Sequence, residues 1–254
     1  MEKYEKEELI IEAASKVHED WCNEELFAFF WRLQEFKNLK PGDAINSACY
    51  KNGKKRNDVV FDYGYIAGHE LFMEERLFSD DFEKFKYIVG RCFDIKRFVK
   101  RNLTKSEIDR ASFKGNYRDG EENILVPFKE LSDDSKKENL EAAIGAFNVY
   151  EQMSFAGISL EEMKMDSYIR EMIGVAIHAD WLRRNMNHPN ESLKVPYEQL
   201  DLWTKKQDLA VFDALLDIVI KNGEKYFVDM VEEYDLPDYE QKEREILGLS
   251  LIKK

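Results

Sequence analysis

Two five-residue stretches, Val17-His18-Glu19-Asp20-Trp21 and Ile177-His178-Ala179-Asp180-Trp181, decide how this chain is read. Each ends an apolar stripe with helical spacing. The first stripe is Leu9, Ile10, Ala13, Ala14, Val17 and Trp21, and the second is Ile169, Met172, Ile173, Ala176, Ile177 and Trp181. Apolar residues three and four apart share one face of an α-helix, so both pentapeptides are expected to stand at the same point of an amphipathic helix. A second block also recurs. Leu125-Val126-Pro127-Phe128-Lys129-Glu130-Leu131 matches Lys194-Val195-Pro196-Tyr197-Glu198-Gln199-Leu200, after which Lys136, Lys137 and Leu140 align without a gap to Lys205, Lys206 and Leu209. Two motifs recurring in the same order point to an internal duplication.

The duplication partitions the chain. Repeat one takes residues 1–150, with its core in 8–36 and 120–150 and an inserted segment at 37–119. A connection follows at 151–167, repeat two spans 168–222, and a C-terminal tail covering 223–254 is expected to be helical. The predicted fold class is mainly α, built from helical-hairpin repeats with a helical insertion. Helix starts are marked by Thr104 with Glu107 and by Ser159 with Glu162, pairs in which hydroxyl and carboxylate satisfy each other's backbone amides. The one segment expected to be a strand is Asp58-Val59-Val60-Phe61-Asp62, after the turn-prone Lys51-Asn52-Gly53-Lys54.

Composition narrows the function. With 254 residues and 44% hydrophobic content the chain can bury a substantial core. A formal net charge of −13 disfavours nucleic acid, whose binding depends on phosphate neutralisation. Eighteen apolar residues never run together and the start lacks an apolar signal core, so no membrane role is expected. Three cysteines, Cys22, Cys49 and Cys92, are too few and too irregular for a disulfide framework and suit a reducing, cytoplasmic setting. The aromatic run Phe27, Phe29, Phe30, Trp31 and Phe36 exceeds what one helix face buries, so part of it is expected to meet the insertion or a second subunit of a homodimer.

His-x-x-Trp on a first helix, followed by Leu-Val-Pro-aromatic-x-x-Leu and a helix opening with lysines, resembles the ryanodine receptor repeat in its prokaryotic or phage form. The first copy supplies His18, Trp21, Leu125, Val126, Pro127, Phe128 and Leu131, and the second supplies His178, Trp181, Val195, Pro196, Tyr197 and Leu200. The family also places a Gly-Trp-x-Tyr-Gly segment shortly after the first helix. Here Trp31 stands without the glycine, and the segment from Arg183 to Pro189 has no counterpart. The resemblance implies two hairpins related by an approximate two-fold axis, with a cleft in which the first-helix tryptophans, Trp21 and Trp181, face an adenine base. It also implies a sensor of nucleotide-derived signals of the sort found in phage or bacterial defence.

The chemistry of such a site is legible. Aromatic stacking is worth about 1 to 3 kcal/mol per base. Arg183 and Arg184, within a turn of Trp181, are the nearest guanidinium groups for phosphate. Lys54, Lys55, Arg56, Lys96, Arg97, Lys100 and Arg101 rank below them. His18 and His178 are expected to orient neighbouring groups, and the tryptophans serve equally well as core. His18-Glu19-x-x-Cys22 could set two ligands on a metal or pair a base with a thiol, but a third metal ligand and an electropositive setting are both lacking, so Cys22 reads as core. Asp133-Asp134 reads as helix-start charge. No Gly-rich phosphate loop, Walker sequence or Gly-x-Ser-x-Gly occurs. The chain therefore reads as a binder without cofactor or metal, and not as an enzyme. It captures an adenine-nucleotide-like molecule as sponge or sensor, or else acts as a protein-interaction adaptor with no small ligand.

Overall fold

The computed structural model describes residues 3–51, 54–55, 59–62, 81–86, 94–226, 228 and 230–249. The protein is mainly helical. Its helices are α1 (Lys3–Glu35), α2 (Pro41–Ala48), α3 (Lys105–Phe113), α4 (Asp133–Phe155), α5 (Leu160–Met165), α6 (Ser167–Asn185), α7 (Leu202–Asn222) and α8 (Tyr239–Ile246). Residues 82–86 are also helical. The strands are β1 (Tyr50–Lys51), β2 (Lys54–Lys55), β3 (Val59–Asp62), β4 (Asp94–Lys100), β5 (Tyr117–Arg118) and β6 (Glu121–Asn123). Among the described residues, no helix is long and apolar enough to cross a membrane. The chain falls into two compact units, His18–Lys136 on one side and Met1–Val17 with Lys137–Lys254 on the other.

The unit His18–Lys136 mixes helix and sheet. Its core joins Phe29, Phe30 and Leu33 of α1 to Ala44, Ile45 and Ala48 of α2, with Phe85 and Ile95 closing it. The helical expectation for residues 37–119 holds at α2, 82–86 and α3, and beyond the one strand expected there the same segment also supplies β1, β2, β4 and β5. An antiparallel sheet runs β3-β4-β6-β5, with Phe61 opposite Ile95 and Phe98 opposite Asn123. Turn chemistry accounts for part of it. Asp119 (φ 45°) and Gly120 (φ 81°) both take the left-handed conformation that a two-residue hairpin turn requires, linking β5 to β6. The predicted strand is present as Val59–Asp62, whereas Asp58 lies outside the described residues, as do Tyr65, Leu71, Phe72, Phe78 and Ile88, whose apolar side chains in the sequence favour a packed insertion.

In the other unit helices pack on helices. Asp166 caps α6 by accepting from the amides of Tyr168 and Ile169, and Asp201 caps α7 by accepting from those of Trp203 and Thr204. The α6 residues from Ile173 to Ala179 are all buried, because α5, α7 and α8 all pack against this helix. Arg170 holds Asp213 with both guanidinium nitrogens, tying α6 to α7. Both expected capping boxes form, Thr104 with Glu107 at α3 and Ser159 with Glu162 at α5. The tail supplies α8, which packs on α6.

Candidate functional site

Each His-x-x-Trp sits on a helix beside its own Val-Pro segment, one in each unit. Proline disfavours the helical conformation at the residue before it, so Val126 and Val195 are pushed toward extended backbone, which turns their carbonyls away from helical pairing. Both carbonyls are taken by histidine. His18 Nε2 donates to the Val126 carbonyl over 2.8 Å, and His178 Nε2 donates to that of Val195 over 2.9 Å. The prolines have the same backbone, φ −53° and ψ 142° at both Pro127 and Pro196, and both lead into a single 3₁₀ turn. Leu131 and Leu200 then turn inward before the next helix begins. Tryptophan follows the same rule. Trp21 stacks on His18 with ring centroids 5.8 Å apart, and Trp181 stacks on His178 at the same separation.

The two histidines are shifted in opposite directions. A carbonyl can only accept, so each Nε2 bears a proton. At His178 the other ring nitrogen lies 3.1 Å from Asp208 Oδ2, and both nitrogens are matched to acceptors, as an imidazolium requires. Burial is the largest single influence on His178 and opposes the charge. The Asp208 hydrogen bond and charge, the Val195 carbonyl and Glu243 together outweigh it and raise its pKa. At His18 burial dominates the Val126 hydrogen bond and the charge of Glu122, so its pKa is lowered and the ring is neutral near pH 7.

Both indoles are half-buried. The Arg97 guanidinium lies 5.3 Å from the Trp21 ring and pairs with Glu25 at 2.9 Å. At Trp181, His188 meets the indole edge-on at 5.5 Å. Arg183 and Arg184 both reach Asp180, at 2.8 and 2.9 Å, and the Arg183 side chain stays 66% exposed. Asp180 in turn occupies the space over Gly145, where an added Cβ would fall under 3.0 Å from its carboxylate. Trp31 is 57% exposed and meets Phe27 and Phe30 edge-on. It stands ten residues beyond Trp21 on the same helix, roughly 15 Å along the axis, so the two indoles form no common surface.

Other candidates resolve into structure. Cys22 Sγ lies 3.4 Å from His18 Nε2, yet burial and the charges of Glu25 and Glu19 push its thiol up to about 12, so it keeps its proton. Among the described residues no cluster of histidine, cysteine and carboxylate could hold a metal ion. Lys96 Nζ donates to the Gly115 carbonyl and Arg101 Nε to Ser135 Oγ. Lys100 is exposed on β4, and Arg56 and the side chains of Lys54 and Lys55 lie outside the described residues. Asp133 and Asp134 open α4, as expected. Asp180, Asp208, His188 and Glu243 were not among the sequence-predicted site residues. Asp208 carried a legible signal, because it stands 69 residues after Asn139 just as Val195 stands 69 after Val126. Glu243 carried none.

Comparison with protein-family models, with curated proteins and with solved structures finds no match to this chain. The resemblance to the ryanodine receptor repeat therefore rests on the motif residues themselves.

Proposed function

We propose that this chain is a ligand-binding protein that captures a small adenine-containing, nucleotide-like molecule, as sponge or sensor, in a reducing cytoplasmic compartment. The observation that carries this reading is a His–Trp pair built twice. Each time a buried histidine is fixed on the carbonyl before a proline, and the indole stacked on it is left half-buried. Fixing the ring removes part of the ordering cost of binding, and a preorganised aromatic face is what a base requires.

Trp181 is the better supported of the two positions. Two residues beyond it, Arg183 has an exposed guanidinium whose only described anchor is the neighbouring Asp180, a carboxylate that Arg184 also holds, so Arg183 can turn to a phosphate without leaving Asp180 unpaired. At Trp21 the Arg97 guanidinium already lies against the ring, so a base approaching that face displaces or shares it.

A protein-interaction adaptor is the second reading, favoured by exposed aromatics outside both pairs, Trp31 at 57% and Trp203 at 58%. Calorimetric titration with a panel of mono-, di- and cyclic nucleotides separates the two. Binding of an adenine nucleotide, weakened by Trp181→Ala in a folded variant, supports the first. Silence of the whole panel at millimolar concentration leaves only the adaptor.

A further inference from the structure

The C-terminal helix α8 is held by a buried charge cluster, and this cluster does something the ligand-binding reading leaves unused. Glu243 of α8 is 3% exposed and accepts the Tyr197 backbone N–H over 2.8 Å. That amide follows Pro196, so α8 is fastened to the segment that also presents the Val195 carbonyl to His178. The Tyr197 ring packs against the His178 ring with centroids 6.1 Å apart. His178, 1% exposed, thus lies among the groups contributed by three other segments: Asp208 of α7, Glu243 of α8 and the turn that begins at Pro196.

We propose that α8 is a proton-controlled latch, docked while His178 is an imidazolium facing Asp208 and Glu243, and released when His178 loses its proton. The physical reason is charge count. With His178 charged, one cation faces two carboxylates inside the unit. Without it, the buried Glu243 and the partly buried Asp208 keep their negative field with no cation between them, and an uncompensated buried charge is costly. Glu243 is the weaker-held of the two, because it sits on a short terminal helix of eight residues.

The charges around the cluster leave His178 in control. Glu198 and Glu240 face Glu243 and add negative field, and Glu171 and Arg170 of α6 with Asp208 face Tyr197. On α5, Lys164 is engaged by Asp217, and Asp180, further along α6, is engaged by Arg183 and Arg184. Tyr197 is pushed up to about 12 by burial and stays neutral. His178 is raised above its ordinary value near 6.5, so the stability it contributes is complete below about 6.5 and is lost as pH rises through its folded-state value. Burial raises Glu243 as well. A carboxyl held above its ordinary value also favours the docked state at the acid end and weakens it as pH rises, so both groups act with the same sign. The latch stands whether or not Trp181 binds a nucleotide.

The test reads α8 directly in the full chain. Amide hydrogen exchange of residues 242–248, corrected for the intrinsic pH dependence, is followed from about pH 5.5 to about 9, alongside the NMR titration of the His178 imidazole. Protection of α8 is expected to fall as pH rises through the His178 midpoint, by up to about tenfold per pH unit for each linked proton. The core of α6 should stay protected. Asp208→Asn, which installs the residue found at the aligned position 139, should lower the His178 midpoint and move the loss of α8 protection with it. Constant α8 protection across the range, a His178 midpoint at or below about 6.5, or an unchanged pH profile in Asp208→Asn overturns the latch. The first two readings need only the wild-type protein.

Discussion

Adding one methyl group at Gly174 should unsettle the unit that carries Trp181. Gly174 lies within α6, and a Cβ built there would fall under 3.0 Å from Oη, Cζ and Cε1 of Tyr197. The Tyr197 ring is fully buried, so it has no free direction in which to yield. Overpacking of this kind costs about 3 kcal/mol at the upper end of the usual range, and the better helix propensity of alanine returns about 1. Gly174→Ala should therefore destabilise by about 2 kcal/mol. Tyr197→Phe alone should be nearly neutral. The phenolic oxygen is buried without a hydrogen-bond partner among the described residues, so its loss removes an unsatisfied group along with some packing. The double variant should recover about 1 kcal/mol relative to additivity, because the Oη overlap vanishes while those with Cζ and Cε1 persist. Repeat one supplies the precedent in sequence, with Ala14 at the position aligned to Gly174 and Phe128 at that of Tyr197. Urea unfolding monitored by circular dichroism, with slopes compared to confirm a common transition, measures all four corners of the cycle. If Gly174→Ala unfolds within about 0.5 kcal/mol of wild type, or if the two changes are additive, the close approach of ring and helix is refuted.

Trp181→Ala and Trp21→Ala should each weaken binding of an adenine nucleotide by about 1 to 3 kcal/mol in calorimetry, once circular dichroism shows the variants folded. Arg183→Ala should weaken phosphate-bearing ligands and leave the bare nucleoside unchanged, a split that equal losses for both would contradict. Asp201→Ala should lower the urea midpoint by removing the cap from the amides of Trp203 and Thr204, and an unchanged midpoint would contradict the cap. Glu107 is held below its ordinary value by the Asp133 amide and by Thr104. Its contribution is present above about 4.3 and is lost as pH falls through its folded-state value, so Glu107→Gln should flatten the acid limb of stability against pH.

The sequence made some of this readable and hid the rest for physical reasons. Capping boxes are local, so Thr104 with Glu107 and Ser159 with Glu162 were legible from spacing alone. The paired His-x-x-Trp and Val-Pro motifs were legible because each places a short-range device at a fixed register, and both devices form. The hairpin at Asp119-Gly120 was within reach, since that dipeptide favours two successive left-handed residues. Strand β4 was harder. Its buried positions Ile95, Lys96 and Phe98 break simple alternation, because Lys96 bends to the Gly115 carbonyl and buries its stem. Asp180 reaching both arginines is a one-turn contact that helical spacing predicts. Glu243 depends on the docking of a helix far along the chain, and no periodicity reports that.

The comparison of the two copies carries one step more. The same motif fixes histidine on a carbonyl in both units, yet one ring's pKa is lowered by burial and the other's is raised, so the motif itself does not set the direction of the shift. Three changes surround the second motif, and one of them bears on the charge. Asp208 stands where the first copy has Asn139, a carboxylate in place of an amide, and only the carboxylate rewards a second ring proton with full charge. Tyr197 stands where the first copy has Phe128, and Gly174 stands where it has Ala14, which leaves room for the larger ring beneath α6. A buried cation also needs a second counter-charge when its neighbourhood is dry, and Glu243 on α8 provides it. Two similar motifs can thus share a local geometry while the surroundings of the histidine differ. Converting Asp208 to asparagine should move the His178 midpoint down, in the direction of the first motif, and leave the Val195 hydrogen bond in place. The NMR titration of the His178 imidazole should then show a lower midpoint than in the wild type, and an unchanged midpoint would place the origin of the raised value elsewhere than Asp208.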